Sequence, residues 1–249
     1  MSLLEQLSLF RSQPNQPVSK PRHLQVGARI VAYELRQAAG RRLAMSIDER
    51  GLRVGAPKRM SLAEIEAFVR GHGDWVLAKL DEFTSRHRLR QITIRHGTRL
   101  PVLGGEVEVR VMAGANRVHW QEDALVLAAR PDADLDALAR KGLQRRAFDH
   151  FADRLGHFAE RMEITPPPLR LSSARTRWGS CSARTGIRLN WRLVHLPPNF
   201  ADYVIAHEMA HLVEMNHSPR FWAVVAGLFP EWREVRAELK IRAADIPVI

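Results

Sequence analysis

One stretch, His207-Glu208-Met209-Ala210-His211, constrains this chain more than any other. Two histidines four residues apart leave a helix on one face, one turn above the other. Burying both, with Glu208 beside them and no partner, would be costly. A metal removes that cost, and Zn²⁺ accepts imidazole nitrogen at about 2.0–2.1 Å. In HExxH chemistry the Glu next to the first ligand takes a proton from water at the metal. The preceding residues, PPNFADYVIA, offer Asn199 as an N-cap and an apolar run through Phe200, Val204 and Ile205. They predict a half-buried helix.

A catalytic zinc usually has three protein ligands. His217 is the third candidate, ten residues after His207. HExxHxxGxxH enzymes use the same separation, but they turn the chain at a glycine. Here that position is Glu214, so the turn is expected at Asn216, which tolerates left-handed backbone.

With 249 residues, 45% of them hydrophobic, the chain can bury one large core or two smaller ones. The start lacks a basic, apolar secretory signal, and no apolar run approaches a membrane span. Cys181 is the only cysteine, which excludes an internal disulfide and fits a cytoplasmic location. Small packing is the expected role of its thiol. Net charge is +11, and only 5 of the 38 basic residues are lysine. Arginine forks suit phosphate, so nucleic acid or nucleotide is a candidate partner. The arginines are spread along the chain, which points more to general composition than to a dedicated surface.

In chain order, residues 1–22 read as a flexible tail. Residues 23–130 read as a β-rich portion with one helical segment. Within it, residues 43–54 signal a hairpin and Ser61–Glu64 forms a capping box. Residues 90–130 read as an antiparallel sheet beginning at Ile92-Thr93-Ile94. Asp132 or Asp134 opens a long helix toward Met162. Two strands are expected at Leu169–Ser173 and Ile187–Leu193, and the metal helix follows. Ser218 and Pro219 start another helix, and a last one carries Trp232, Val235 and Leu239. Residues 131–249 therefore form the expected metal-bearing domain. No internal repeat is visible.

The segments RTRWGSCSARTGIRLNWRLVHLPP (175–198) and YVIAHEMAHLVEMNHSPRFW (203–222) resemble the YgjP-like metallopeptidase family, relatives of the SprT-like zincins. The resemblance implies an α+β fold, with a β-rich N-terminal portion and a zincin-like metallopeptidase portion built on an HExxH active-site helix. It implies Zn²⁺ held by His207, His211 and His217, with Glu208 as catalytic base. It also implies a peptide or protein substrate. Trp178, Gly179, Ser180, Asn190 and Trp191 lie in the matched motifs, either positioning strands or lining a cleft. Tyr203, one turn before His207, packs in the core or faces the site.

Two other functions fit parts of the pattern. Arg170, Arg175, Arg177, Arg188 and Arg192 suit a metal-dependent hydrolase of nucleotides or phosphate anhydrides. Such chemistry more often uses carboxylate-bound Mg²⁺. A DNA-binding module with a structural zinc would need four ligands, usually with cysteines, and only Cys181 is available.

Overall fold

The computed structural model describes residues 21–39, 42–48, 51–174, 176–182 and 184–249. The expected tail at 1–22 lies almost wholly outside them, as does Arg175. The fold is α+β. The described chain divides into two compact units, residues 21–91 and residues 92–249. The boundary expected near 130 thus falls at 91/92, because the sheet of residues 99–129 buries its inner face in the core shared with the C-terminal helices.

The first unit opens with β1 (Arg22–Val26), β2 (Arg29–Ala38), β3 (Ala44–Asp48) and β4 (Gly51–Pro57) in the order β1-β2-β4-β3. Helices α1 (Leu62–Gly71) and α2 (Gly73–Arg90) follow. The capping box forms as expected: Ser61 accepts from the Glu64 amide, and the Glu64 carboxylate accepts from the Ser61 amide. Leu24, Val26, Tyr33, Leu52, Val54 and Ile65 make a core of their own.

The second unit opens with β5 (Arg99–Val102), β6 (Gly105–Ala113), β7 (Arg117–Gln121) and β8 (Ala124–Ala129), in the order β5-β6-β8-β7. This sheet is mixed, not antiparallel: β6 and β8 run parallel. Residues 92–94 lie before it as irregular chain. Its topology repeats that of the first sheet. In each, two antiparallel hairpins join through a parallel central pair with six residue pairs in register. Aligning the registers matches Leu24 with Leu100, Val26 with Val102, Val31 with Val107, Tyr33 with Val109, Leu52 with Leu125 and Val54 with Leu127. All twelve are buried. A structural repeat therefore exists where none is visible in the sequence.

The long helix α3 (Leu135–Arg161) is capped by Asp134, whose carboxylate accepts from the Ala137 amide at 2.9 Å. It lies close on the second sheet. A Cβ on Gly142 would stand 2.6 Å from Leu125 and 2.7 Å from Val118, so a larger residue there would have to push both side chains aside. A three-stranded sheet follows: β9 (Leu169–Ser172), β10 (Gly179–Ser182) and β11 (Gly186–Asn190), in the order β10-β11-β9. Residues 191–195 form a 3₁₀ turn, not the end of a strand. Its Val194 carbonyl accepts from Leu103, and His195 Nδ1 donates to the Pro101 carbonyl at 2.8 Å. Helices α4 (Pro198–Ala210), α5 (Pro219–Leu228) and α6 (Trp232–Arg242) complete the unit. Among the described residues, no helix is long and apolar enough to cross a membrane.

Candidate metal centre

Helix α4 carries the HEMAH stretch. Its N-cap is Pro197, which makes no side-chain cap, and Pro198 takes the first turn. Asn199 therefore sits inside the helix, since a proline at the first helical position is preorganised and lacks only an amide that would be unpaired anyway. The helix is interior, not half-buried. From Phe200 to Ala210 every residue except Asp202 is buried. Asp202 reaches outward to Arg154 of α3 through two bonds of 2.7 and 3.0 Å.

His211 caps the C-terminal end of α4, and the chain turns at once. The amides of Leu212 and Val213 bond back to Met209 and Ala210. No left-handed residue is used between His211 and His217, Asn216 included. Tight winding does what a glycine does in the HExxHxxGxxH motif. Ser218 then caps α5 by accepting from the Phe221 amide, with Pro219 at its first position. His217 is thereby held just ahead of a fixed helix start.

The three histidines converge. Their ring centroids are 5.1 Å (His207–His211), 5.0 Å (His207–His217) and 4.9 Å (His211–His217) apart. One nitrogen from each lies within 4.8 Å of the other two. Phe221, fully buried, touches all three rings at 4.6–4.9 Å. Trp222 stacks on His217 and on Trp232. The cluster thus has an apolar wall that lowers the local dielectric.

This donor set fits a metal. Nitrogens at 2.0–2.1 Å from a tetrahedral zinc stand about 3.3 Å apart. The Nε2 atoms of His207 and His217 are 3.1 Å apart. His211 Nδ1 lies 3.2 Å from the Glu214 carbonyl, which can only accept, so Nδ1 holds the proton and Nε2 keeps its lone pair for a metal. Burial holds His207 neutral well below the usual histidine range, with the other two rings and Arg236 acting in the same sense. Burial also lowers His217 to about 4. It lowers His211 too, partly offset by the carbonyls of Glu214 and Met215. Neutral imidazole is the form that ligates metal.

Glu208 is 1% exposed, and its Oε1 has no hydrogen-bond partner among the described residues. Burial pushes its carboxyl up to about 8, and Arg177 pulls the other way. A dication nearby would add to the pull of Arg177. Strand β10 meets this carboxylate directly. A Cβ on Gly179 would stand 2.4 Å from Glu208 Oε1, so any larger residue there displaces the glutamate side chain. The sequence marks this glycine only as part of a motif, and its contact is visible only in the fold. Cys181, one turn of the pleat further on, is a free thiol pushed up to about 11 by burial and by Glu208. It is not a thiolate at neutral pH. Tyr203 is fully buried 6.1 Å from the His207 ring, and burial raises its hydroxyl.

An interior helix with a histidine triad at its end and a buried glutamate beside it defines a metal-dependent hydrolase architecture. Residues 41–242 match the YgjP-like metallopeptidase domain, and the chain belongs to that family. Membership makes it a metal-dependent peptidase acting on peptide or protein. No protein with a curated description matches it by sequence. Among solved structures it is similar to the metallopeptidase zymogen abylysin of Pyrococcus abyssi. That similarity has 25% identity and a TM-score of 0.36, covering 39% of this chain and 99% of the other.

Proposed function

We propose that this protein is a zinc-dependent peptidase, with His207, His211 and His217 as the metal ligands and Glu208 as the general base. The observation that carries the reading is the convergence of three neutral imidazoles within 4.8 Å beside a carboxylate that is 1% exposed. Bound there, zinc supplies Lewis-acid polarisation of the scissile carbonyl and acidifies water. The chain supplies the rest. Glu208 accepts a proton from the attacking water and returns it to the leaving amine. Gly179 leaves that carboxylate room against β10. Phe221 and Trp222 wall the site with apolar surface. Water exclusion strengthens each of these charge interactions.

The test is a pair of variants, purified without chelator or a polyhistidine tag. Wild type should carry about one zinc per chain, with His217→Ala largely empty. Glu208→Gln should keep its zinc and lose hydrolysis of a casein or peptide panel by about 10²–10⁴-fold, the usual worth of a positioned base. Undiminished turnover in Glu208→Gln would remove the general-base role. A metal-free wild type after zinc is added back would remove the whole reading.

A further inference from the structure

A second feature lies one residue along β10 from the Gly179–Glu208 contact. A cleft of about 330 Å³ opens where Ser180 and Ser182 of β10, Thr185 and the arginines Arg177, Arg184 and Arg188 meet. Among the described residues, no carboxylate lines it. Arg184 and Arg188 are exposed, and neither pairs with an acid among the described residues. Two exposed guanidinium groups, those of Arg184 and Arg188, stand around one cleft with the hydroxyls of Ser172, Ser180, Ser182 and Thr185. Guanidinium forks hold carboxylate through paired, charge-assisted bonds. The cleft adjoins the candidate catalytic group: Arg177, in its lining, acts electrostatically on Glu208, and so does Glu208 on Cys181, also in the lining.

The topology says what can reach it. Strand β10 pairs with β11 on one side only, so its other edge is open among the described residues. An extended peptide can add to such an edge through its backbone, with side chains alternating between faces. On β10 itself Gly179 is directed at Glu208, while Ser180 and Ser182 line the cleft. A peptide paired there would present every second side chain to the arginines.

We propose that this cleft is a substrate subsite for a carboxylate of an extended peptide on the free edge of β10, with Arg184 and Arg188 as its specificity-determining residues. The carboxylate is an Asp or Glu side chain, or the peptide C-terminus. This subsite rests on the peptidase reading for its substrate class, and it makes acidic preference fall at alternate positions around the cut.

The test pairs binding with cleavage. Fluorescently labelled peptides carry Glu or Gln at successive positions, with free or amidated C-termini. Zinc-loaded Glu208→Gln protein serves for anisotropy, and zinc-loaded wild type for cleavage mapping. Arg184→Gln and Arg188→Gln are measured beside each, with thermal melts to show that the exposed substitutions leave the fold intact.

The expected result is a preference for Glu over Gln of about ten- to a hundredfold, the worth of one or two charge-assisted bonds. It should occur at every second position and collapse in both variants. If the preference follows the free C-terminus and not Glu, the carboxylate is the terminal one and the subsite stands. If Glu-dependent binding is lost in the variants but no peptide is cut, the subsite stands and the hydrolase reading falls. Cleavage with no acidic preference, or with one that the variants leave unchanged, overturns the subsite and leaves the hydrolase. Equal competition by inorganic phosphate for every peptide, Gln peptides included, would also overturn it, because the cleft would then be a general anion site. So would the absence of both binding and cleavage.

Discussion

The two four-stranded sheets share strand order, pairing sense and six-residue central register, yet only one belongs to the unit that carries the chemistry. The first sheet is followed by two helices of 10 and 18 residues and closes a small core. The second is followed by the 27-residue α3, whose other contacts include the 3₁₀ turn and the metal helix. The same buried pattern, Leu-x-Val on the first strand and Leu at the head of the fourth, serves both. A sheet module of this kind is therefore scaffold. Function enters with the segment that follows the second copy, which agrees with the general separation of fold from site.

The sharpest test of that division uses equivalent residues. Leu52 and Leu125 occupy matching positions and are 1% and 0% exposed. Truncating either to Ala should cost about 2–5 kcal/mol, transfer loss plus cavity. The consequences should differ. Leu125→Ala should lower zinc retention and turnover as the second unit loosens. Leu52→Ala should reduce amide-exchange protection within residues 21–91 while zinc content holds. Equal loss of zinc in both would show that the first sheet is part of the machinery.

Acid should separate the units as well. His195 in the second unit is 4% exposed, and burial depresses it to about 4, with the bond to Pro101 opposing and Arg192 adding to the shift. The unfolded chain takes up a proton near pH 6.5 that the folded ring refuses. Its stabilisation is therefore complete above pH 6.5 and is lost as pH falls toward 4, by up to about 3 kcal/mol. Among the described side chains of the first unit the histidines are His23 and His72, both exposed. His195→Gln keeps a donor for Pro101 and should flatten the acid slope relative to wild type in chemical denaturation at stepped pH. An unchanged slope would assign the acid sensitivity elsewhere.

Gly179→Ala is a smaller change at the site itself. The added methyl overlaps the Glu208 carboxylate, a misfit of about 1–3 kcal/mol. Zinc content should hold while turnover falls, since the displaced group is not a ligand. Loss of zinc together with turnover would mean that β10 supports the histidines as well.

These contrasts also show what the sequence could disclose. The helix carrying His207 and His211, the Asp134 cap and the Ser218–Pro219 start are local signals, decided by residues a few positions apart, and they are legible. Strand β10 was not, because Gly-Ser-Cys-Ser has no apolar alternation and its register is set by β11. Residues 191–193 read as the end of a strand because a short apolar run carries no periodicity that separates it from a tight helical turn. The repeat escaped notice because its offset changes. It is 76 residues in the first hairpin (Leu24 to Leu100) and 73 in the second (Leu52 to Leu125). The fit of Gly179 to Glu208 joins residues 29 positions apart and exists only in three dimensions.

The smallest expected effect should be the same in both units. Gly71 ends α1, and Gly156 lies inside α3; a Cβ on either meets nothing within 4 Å, and neither has a positive φ. Alanine at each removes backbone freedom from the unfolded chain without a clash, for a gain of about 0.4–1 kcal/mol. Gly156→Ala sits mid-helix, where propensity acts in full, and should lie at the upper end. Gly71→Ala is at a helix end that already frays and should lie at the lower end. Both are read as midpoint shifts in denaturant at constant slope. Because neither glycine contacts the site, turnover should not move with either. If Gly156→Ala gains stability but loses activity, α3 must flex during turnover, and the second sheet with its helix would then be a moving part as well as a scaffold.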